Sequence, residues 1–353
     1  MTNIILFLFL LMLPGPTPGN RTFSDLHFLS DEEISNFTSG VYTVSRRDSL
    51  LFFERFPDTV LSLVAVKETW AVRSQCTSGV KISFLTNSDY LFISGVSYPN
   101  SPQCEPFILL VNEKLLESLP KANEAGYFSE IFELETSSDL KLVEIHFPAY
   151  ARGAISKIGV ARNAGLIPPP SRGILLAMGN SITQAGGAYK GYSSILARNS
   201  GLNLHNLGVG GHIFDSSFLP YAFVKDPDLI TVAYGTNDWN GGRPPENIEA
   251  FFKRLVQLYE KTNIFVLEPL HRYRPVNSES GELSRNRNGQ DLDYYRNLIR
   301  NTALSYPNIH VIDYRNILMD DPDLFTDGIH PTLEGHRIMG NNLADEIRAL
   351  SIR

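Results

Sequence analysis

The sequence predicts two domains, an antiparallel β-sandwich followed by a three-layer α/β domain with a mostly parallel sheet. Three observations indicate this fold class. The chain has 353 residues, which is long for a single hydrophobic core. Residues 22–165 contain short β-rich runs separated by Gly, Asn, Ser and Pro, with little helical periodicity. Beyond residue 172 strands alternate with amphipathic helices, which is typical of βαβ units.

The first 19 residues predict a signal peptide. Residues 4–13 form an apolar run too short to span a bilayer, and residues 14–19 are rich in Pro and Gly, with small residues near the expected cleavage point. The basic residues expected before the apolar run are missing, so a disordered or core-packed N-terminus is the competing interpretation. We expect a secreted, periplasmic or extracellular protein without a stable membrane span.

Cysteines and glycan-acceptor triplets favour the same oxidising, extracellular compartment. Asn20 and Asn36 each begin an Asn-X-Thr triplet. Cys76 and Cys104 are the two cysteines of the chain, and they predict one disulfide. Two thiols without a nearby pair of histidines are inadequate as a metal site.

The β-sandwich is predicted for residues 20–167. Its predicted strands are 60–66, 80–84, 91–93, 107–111 and 140–147. Trp70, Tyr90 and Tyr98 are candidates for stacking on sugar rings, and packing in the core or between the domains is the alternative. The ligand of this domain is not specified by the sequence.

A proline-rich linker, residues 168–172, separates this domain from the α/β domain at 173–353, because consecutive prolines hold a chain extended. The predicted strands of the second domain are 174–178, 202–207, 229–234, 264–267 and 309–312. One helix is predicted around 248–259 and another after Pro331. The polar, Arg-rich segment 271–290 is predicted to be either a lid over the substrate or a mobile loop.

Ser181 follows the first strand of the α/β domain, where open α/β sheets keep their sites. A serine there can be a helix N-cap or a nucleophile. A nucleophilic serine requires a base, a group that orients the base, and donors for the oxyanion. Later segments offer each of these, all at the carboxyl edge of the predicted sheet.

The oxyanion donors are predicted after the second and third strands, and the base after the fifth. Gly211 can present a backbone N–H, and the Asn237 side chain an amide. Asp327 and His330 stand three residues apart, so the carboxylate can accept from Nδ1 while Nε2 faces the serine. Three other histidines compete for the role of base, but none has a carboxylate at so suitable a spacing; these are His212, His271 and His336.

Four blocks, residues 179–183, 206–211, 235–238 and 327–330, resemble those of the SGNH, or GDSL-like, hydrolases. The resemblance implies a flavodoxin-like α/β/α domain in which Ser181 is the nucleophile, His330 the general base and acid, and Asp327 its orienting partner. It implies an oxyanion hole formed by the Ser181 N–H, the Gly211 N–H and Asn237. The N-terminal half is similar to the jelly-roll-like β-domain that precedes the catalytic domain in two-domain carbohydrate esterases.

Asn180 departs from the family pattern, which has Asp before the serine. Asn offers an amide donor where Asp offers only acceptors, so the hydrogen bonding of the serine loop is the property in question.

The resemblance implies a serine ester hydrolase that forms an acyl-enzyme and uses neither a metal nor another cofactor. The expected substrate is a short acyl ester on a carbohydrate, and acetyl is the expected acyl group. The alternatives are a lipid esterase or thioesterase, and a non-catalytic carbohydrate-binding protein on this scaffold. The net charge of −7 argues against nucleic acid as a partner. The oligomeric state is not specified by the sequence.

Overall fold

The computed structural model describes residues 23–99, 106–119, 126–136, 139–273 and 285–351. The predicted signal peptide, the Asn20 triplet and Cys104 lie outside these ranges, so the disulfide of Cys76 stays a prediction. Asn36 is exposed at the end of a helix. Across the same ranges, every helix is too short or too polar to cross a membrane.

The N-terminal part contains two antiparallel sheets of six strands each within the described residues. The strands are β1 (Leu26–Phe28), β2 (Thr38–Ser39), β3 (Thr43–Arg47), β4 (Leu50–Glu54), β5 (Lys81–Thr86), β6 (Tyr90–Pro99), β7 (Phe107–Val111), β8 (Lys114–Leu119), β9 (Gly126–Glu133), β10 (Lys141–His146), β11 (Ala151–Ala161) and β12 (Leu166–Ile167). The first sheet has the order β3-β4-β11-β6-β9, with β1 on β11. The second has the order β12-β5-β10-β7-β8, with β2 on β5.

The two sheets pack face to face around one hydrophobic core. Phe53 and Ile155 of the first sheet and Phe84 and Val143 of the second belong to the same buried cluster. Alternate residues of the longer strands face this core, such as Leu51 and Phe53 of β4 and Ile82 and Phe84 of β5, as expected for a sandwich. The predicted fold class of the N-terminal half, antiparallel β-structure, is confirmed.

One predicted strand is wrong, because most of the run 60–66 lies in a helix. Helices α1 (Asp31–Asn36), α2 (Asp58–Val64) and α3 (Glu68–Ser74) interrupt the strands. In α2, Val60 and Val64 are four residues apart and both are buried against the C-terminal domain. The β-branched and leucine content suggested a strand, but the i, i+4 spacing after Pro57 is a helical signal.

The C-terminal part contains five parallel strands and seven α-helices within the described residues. The strands are β13 (Ile174–Gly179), β14 (Asn203–Gly208), β15 (Leu229–Ala233), β16 (Asn263–Leu267) and β17 (Ile309–Ile312). The helices are α4 (Ser181–Gly186), α5 (Tyr192–Asn199), α6 (Thr236–Asn240), α7 (Glu246–Leu258), α8 (Leu292–Ala303), α9 (Tyr314–Ile317) and α10 (Leu333–Ser351). The sheet order is β14-β13-β15-β16-β17, which is the flavodoxin-like order.

Helices cover both faces of this sheet, because neighbouring residues of a strand point to opposite sides. Leu176 of β13 packs in one core with Phe251 of α7 and Ile299 of α8. Leu175, the preceding residue, belongs to the other core, with Leu343 of α10. The predicted three-layer α/β/α architecture is confirmed.

Arg55 joins the two parts of the molecule. Its side chain is fully buried and donates to the carbonyls of Cys76 and Asn206, each at 2.6 Å, and of Gly208 and Arg73, each at 3.1 Å. Burial lowers the pKa of this guanidinium to about 10, so it is charged at neutral pH. Because a buried carbonyl without a donor is costly, this one cation fixes α3 against the end of β14.

Candidate active site

Ser181 is the first residue of α4, and Asn180 is the single residue between it and the end of β13. The Asn180 Oδ1 accepts a hydrogen bond from the Ile182 N–H at 3.1 Å and so caps the helix. An Asp carboxylate would accept the same bond, so the residue that departs from the family pattern keeps its capping contact. Gly208 lets α4 pack against the end of β14, because a Cβ on residue 208 would lie 2.4 Å from the Gln184 nitrogen.

Ser181, His330 and Asp327 lie in one chain of hydrogen bonds. The Ser181 Oγ is 2.8 Å from the His330 Nε2, and the His330 Nδ1 is 2.9 Å from the Asp327 Oδ2. A neutral imidazole that donates from Nδ1 to the carboxylate has its Nε2 lone pair directed at the serine. This is the arrangement that allows a base to take the serine proton.

Asp327 is held by its own turn. Its Oδ1 accepts from the N–H groups of Ile329 at 3.0 Å and His330 at 2.8 Å. Partial burial acts to raise the pKa of Asp327, but the backbone and ring hydrogen bonds from His330 outweigh it and keep the pKa below its ordinary value. Asp327 is therefore ionised at neutral pH and stabilises a protonated His330.

The turn that carries Asp327 and His330 does not follow β17 directly, as the sequence had suggested. Helix α9 and a short 3₁₀ helix at Pro322–Leu324 come between. The start of the Arg-rich segment holds the turn in place: the Tyr273 N–H donates to the Gly328 carbonyl at 2.8 Å, and its ring packs on Phe325. Residues 274–284 of this segment lie outside the described residues.

The loop after β14 presents two successive peptide units that meet at Gly210, and a side chain binds each of them. The Gly210 N–H donates to the Gln184 Oε1 at 2.7 Å, and the Gly210 carbonyl accepts from the Arg73 Nη1 at 2.8 Å. Gly211 has a φ of 79°, which favours glycine. Among the described residues, neither the Gly211 N–H nor the Ser181 N–H has a hydrogen-bond partner. Both are available to an anionic oxygen.

Asn237 lies in α6 and reaches the same loop. Its Nδ2 donates to the His212 carbonyl at 3.0 Å, which uses one of two amide hydrogens. The neighbouring Asp238 is buried and accepts from the N–H groups of Phe214 at 2.9 Å and Gly235 at 3.2 Å. Burial raises the pKa of Asp238 to about 7. Asp238, which the sequence analysis missed, thus ties the loop after β14 to the start of α6.

The other histidines are placed differently. His212 is fully buried, 4.7 Å from the Trp70 ring, and burial lowers its pKa to about 4. His336 is also buried, and burial and the charge of His330 lower its pKa to about 4. His271 pairs with Asp320 at 3.3 Å. His330 is the histidine whose ring nitrogen meets the Ser181 hydroxyl.

The N-terminal part supplies walls of this site that sequence reasoning did not find. The Tyr150 hydroxyl donates to the Ser181 carbonyl at 3.1 Å, and the Ala149 carbonyl accepts from Gln184 at 3.2 Å. Trp70 is buried beside the loop after β14, whereas Tyr90 is buried elsewhere and Tyr98 is exposed. Trp70 packs in the core of the C-terminal domain, which is the alternative considered for it. No motif marks Tyr150 or Ala149, because their partners lie more than 30 positions away in the chain.

A cavity of about 230 Å³ adjoins the His330 side of the site. Small side chains, an aromatic ring and polar groups line it, among them Ala185, Ala188, Gly191, Tyr150, Asp327, His330 and His336. Within the part of the chain that the structure describes, no group of three or more His, Cys, Asp or Glu side chains is arranged to hold a metal ion.

Residues 177–338 match the model of the GDSL-like lipase/acylhydrolase family. The matched range covers most of the C-terminal α/β domain and slightly less than half of the chain. All four motif blocks lie within the matched range, and the match supports the serine ester hydrolase that the motifs predicted. No curated protein matches the chain by sequence.

Several solved structures share the two-part architecture around this GDSL-like domain. The salicylyl-acyltransferase SsfX3 from a tetracycline biosynthetic pathway is 18% identical, with a TM-score of 0.80 over 94% of this chain and 99% of its own. A family two carbohydrate esterase from Cellvibrio japonicus is 14% identical, with a TM-score of 0.62 over 92% and 98%. The acetyl xylan esterase Est2A from Butyrivibrio proteoclasticus is 15% identical, with a TM-score of 0.56 over 77% and 90%. These similarities establish the fold.

Proposed function

We propose that the protein is a serine esterase that removes short acyl groups, acetyl above all, from a carbohydrate through an acyl-enzyme intermediate. The observation that carries the chemistry is the hydrogen-bonded chain from Ser181 through His330 to Asp327. The substrate class is supported by the size and lining of the cavity beside it.

In the proposed mechanism, the Ser181 Oγ attacks the ester carbonyl while His330 takes its proton. The oxyanion accepts hydrogen bonds from the N–H groups of Ser181 and Gly211 and from the free amide hydrogen of Asn237. His330 then gives its proton to the leaving alcohol, and the acyl group remains on the serine. Water repeats the same steps, so the acid is released and the enzyme restored.

The cavity supports a short acyl group on a polar alcohol. Its volume of about 230 Å³ lies below the roughly 300–1,000 Å³ of pockets that enclose drug-sized ligands. Ala185, Ala188 and Gly191 leave room in it, and Asp327, His330 and His336 add polar groups to a lining that also includes Ile182 and Leu333. A lipid esterase would require a longer apolar channel. Acetylated xylan, the substrate class in the name of the Butyrivibrio neighbour, is the first natural candidate.

Acyl transfer to an alcohol other than water is the second candidate. An acyl-enzyme serves both reactions, and the salicylyl-acyltransferase neighbour matches nearly the whole chain. We further propose export of the protein, because residues 1–19 have the pattern of a signal peptide and polymeric glycans lie outside cells. N-terminal sequencing of the secreted protein would test the cleavage.

A chain-length series tests the substrate proposal. Purified protein is assayed on p-nitrophenyl esters from acetyl to palmitoyl and on acetylated xylan, with release of p-nitrophenol and acetate as the readouts. We expect the highest kcat/KM for acetyl and a steep decline beyond butyryl. An activity maximum at long chains would contradict the proposal in favour of a lipid esterase. Acyl glycerol formed in the presence of glycerol would favour the transferase.

Arg73 provides a separate prediction about the oxyanion hole. Its guanidinium binds the Gly210 carbonyl, and the Gly211 N–H belongs to the same planar peptide unit, so the contact orients and polarises that donor. Arg73→Met is expected to lower kcat about 10-fold, less than removal of a direct donor. KM is expected to change little, and Arg73→Lys should restore part of the rate.

The matched control for this prediction is Arg46→Met, which removes an arginine that pairs with Asp31 on the distant surface. It should leave kcat unchanged. Thermal unfolding of all three variants separates loss of positioning from loss of fold. A normal kcat in a folded Arg73→Met protein would contradict the prediction, because the Gly211 N–H would then keep its position without the arginine.

A further inference from the structure

A second concave surface lies on the outer face of the first sheet, away from Ser181. Its volume is about 290 Å³, and it is lined by Phe52, Val72, Gln75, Tyr98 and Arg152. We call it the aromatic groove. Strands β4, β11 and β6 form its floor, where Ala154 pairs with Phe52 and Arg152 pairs with Tyr98. Helix α3 forms its wall.

The groove exposes aromatic surface that the fold does not bury. The rings of Phe52 and Tyr98 are nearly parallel, with centroids 6.5 Å apart and planes at 16°. Tyr98 is 38% exposed, and Tyr127 on the adjacent strand β9 is 66% exposed. Single exposed rings are common on protein surfaces, but here the rings lie together on strands β4, β6 and β9, and a contiguous patch indicates a binding surface.

Fixed polar groups stand beside these rings. The Arg152 guanidinium lies 4.6 Å from the Phe52 ring centroid and donates to the Glu54 Oε1 at 2.5 Å and the Gln75 Oε1 at 3.2 Å. Glu54 is almost fully buried and also pairs with Arg47 at 3.0 Å. Arg152 is therefore held in one position, so it can donate to a ligand at little cost in conformational entropy.

This combination fits a sugar better than another protein or a lipid. The apolar C–H face of a pyranose can lie on an aromatic ring while its hydroxyls meet Gln75 and Arg152. Protein interfaces involve about 20 to 30 residues a side, whereas five residues line this groove. A lipid chain would have to cover the paired charges of Arg152 and Glu54, which is unfavourable.

Helix α3 connects the groove with the active site. Val72 and Gln75 on one side of α3 line the groove. On the other side, Trp70 lies beside His212 and Arg73 binds Gly210. The groove and the oxyanion loop thus lie on opposite sides of one helix, whose diameter is about 10 Å. A chain of a few sugars can span that distance.

We propose that the aromatic groove binds a neutral stretch of the same glycan chain whose ester is cleaved at Ser181. The proposal rests on the proposed function for the choice of a glycan as ligand. The N-terminal domain then contributes to affinity for the polymer, in addition to supporting the oxyanion loop.

The test compares a polymer with a small ester. A double variant, Phe52→Leu with Tyr98→Leu, keeps apolar bulk but removes both ring faces. We expect its kcat/KM on acetylated xylan to fall about 10-fold, mainly through KM, since each aromatic contact contributes about 2- to 10-fold. The kcat/KM on p-nitrophenyl acetate should stay the same, because this ester is too small to reach the groove. Tyr294→Leu is the control, since Tyr294 is a 46% exposed tyrosine on α8.

A binding measurement keeps the proposal testable if the esterase activity fails. Xylohexaose is titrated calorimetrically into the Ser181→Ala protein with and without the two leucine substitutions. Binding that weakens about 10-fold or more in the leucine variant supports the groove, whatever the catalytic result. The proposal is overturned by absence of binding, by equal affinity of the two proteins, or by equal loss of activity on both substrates. Absence of esterase activity in the wild type overturns the proposed function alone.

Discussion

Ser181→Ala, His330→Ala and the double variant are each expected to lower kcat for p-nitrophenyl acetate by about 10³-fold or more, and by similar factors. The serine hydroxyl and the imidazole act as one unit across their 2.8 Å contact. Without His330 the serine keeps its proton, and without Ser181 the base has no proton to take. The second substitution therefore has little left to remove, and the losses are strongly non-additive.

The assay measures kcat of the three variants, with the release of p-nitrophenol in a pre-steady-state burst as a second readout. The burst should disappear in all of them, because no acyl-enzyme accumulates. His27→Ala serves as the control, because the His27 side chain is 44% exposed and lies on β1. If folded His330→Ala protein keeps near-normal kcat, another group is the base and the proposed mechanism is wrong.

Asn237→Ala is expected to lower kcat by roughly 10² to 10³-fold. The alanine removes the amide hydrogen that the His212 carbonyl leaves free for the oxyanion. The charge on that oxygen exists only in the transition state, so KM for p-nitrophenyl acetate should change little. Asn237→Asp should be at least as slow, because a carboxylate offers the oxyanion repulsion instead of a donor.

Asn240→Ala is the matched control for Asn237, since both residues lie in α6 and Asn240 is exposed. It should have the wild-type rate. Thermal unfolding should give similar midpoints for the Asn237 and Asn240 variants. A rate constant that Asn237→Ala leaves unchanged would show that its amide points away from the reacting carbonyl.

The α/β domain could be predicted from the sequence because its central strands, β13, β15 and β16, are buried on both faces and are therefore mostly apolar runs. The motif residues follow from the same logic, since loops after parallel strands meet at one edge. The prediction failed for α2, where a β-branched and leucine-rich run lies in a helix. There the i, i+4 burial of Val60 and Val64 against the other domain outweighed local propensity.

The supporting contacts of the site could not be predicted. Arg73 and Gly210 are 137 residues apart in the chain, and Tyr150 and Ser181 are 31 apart across the proline-rich segment. Such pairs have no fixed spacing, and a lone arginine or tyrosine has no local pattern. The same holds for Asp238, whose raised pKa is caused by burial that only the folded chain reveals.

The buried guanidinium of Arg55 has a consequence for anyone who wishes to use the hydrolase domain as an independent part. A catalytic domain cut out at residue 173 would lose the donor for the carbonyls of Asn206 and Gly208 and would expose the apolar surface that α2 covers. We expect such a fragment to be poorly soluble. Fusion enzymes or domain exchanges built from this chain should therefore carry both domains as one module.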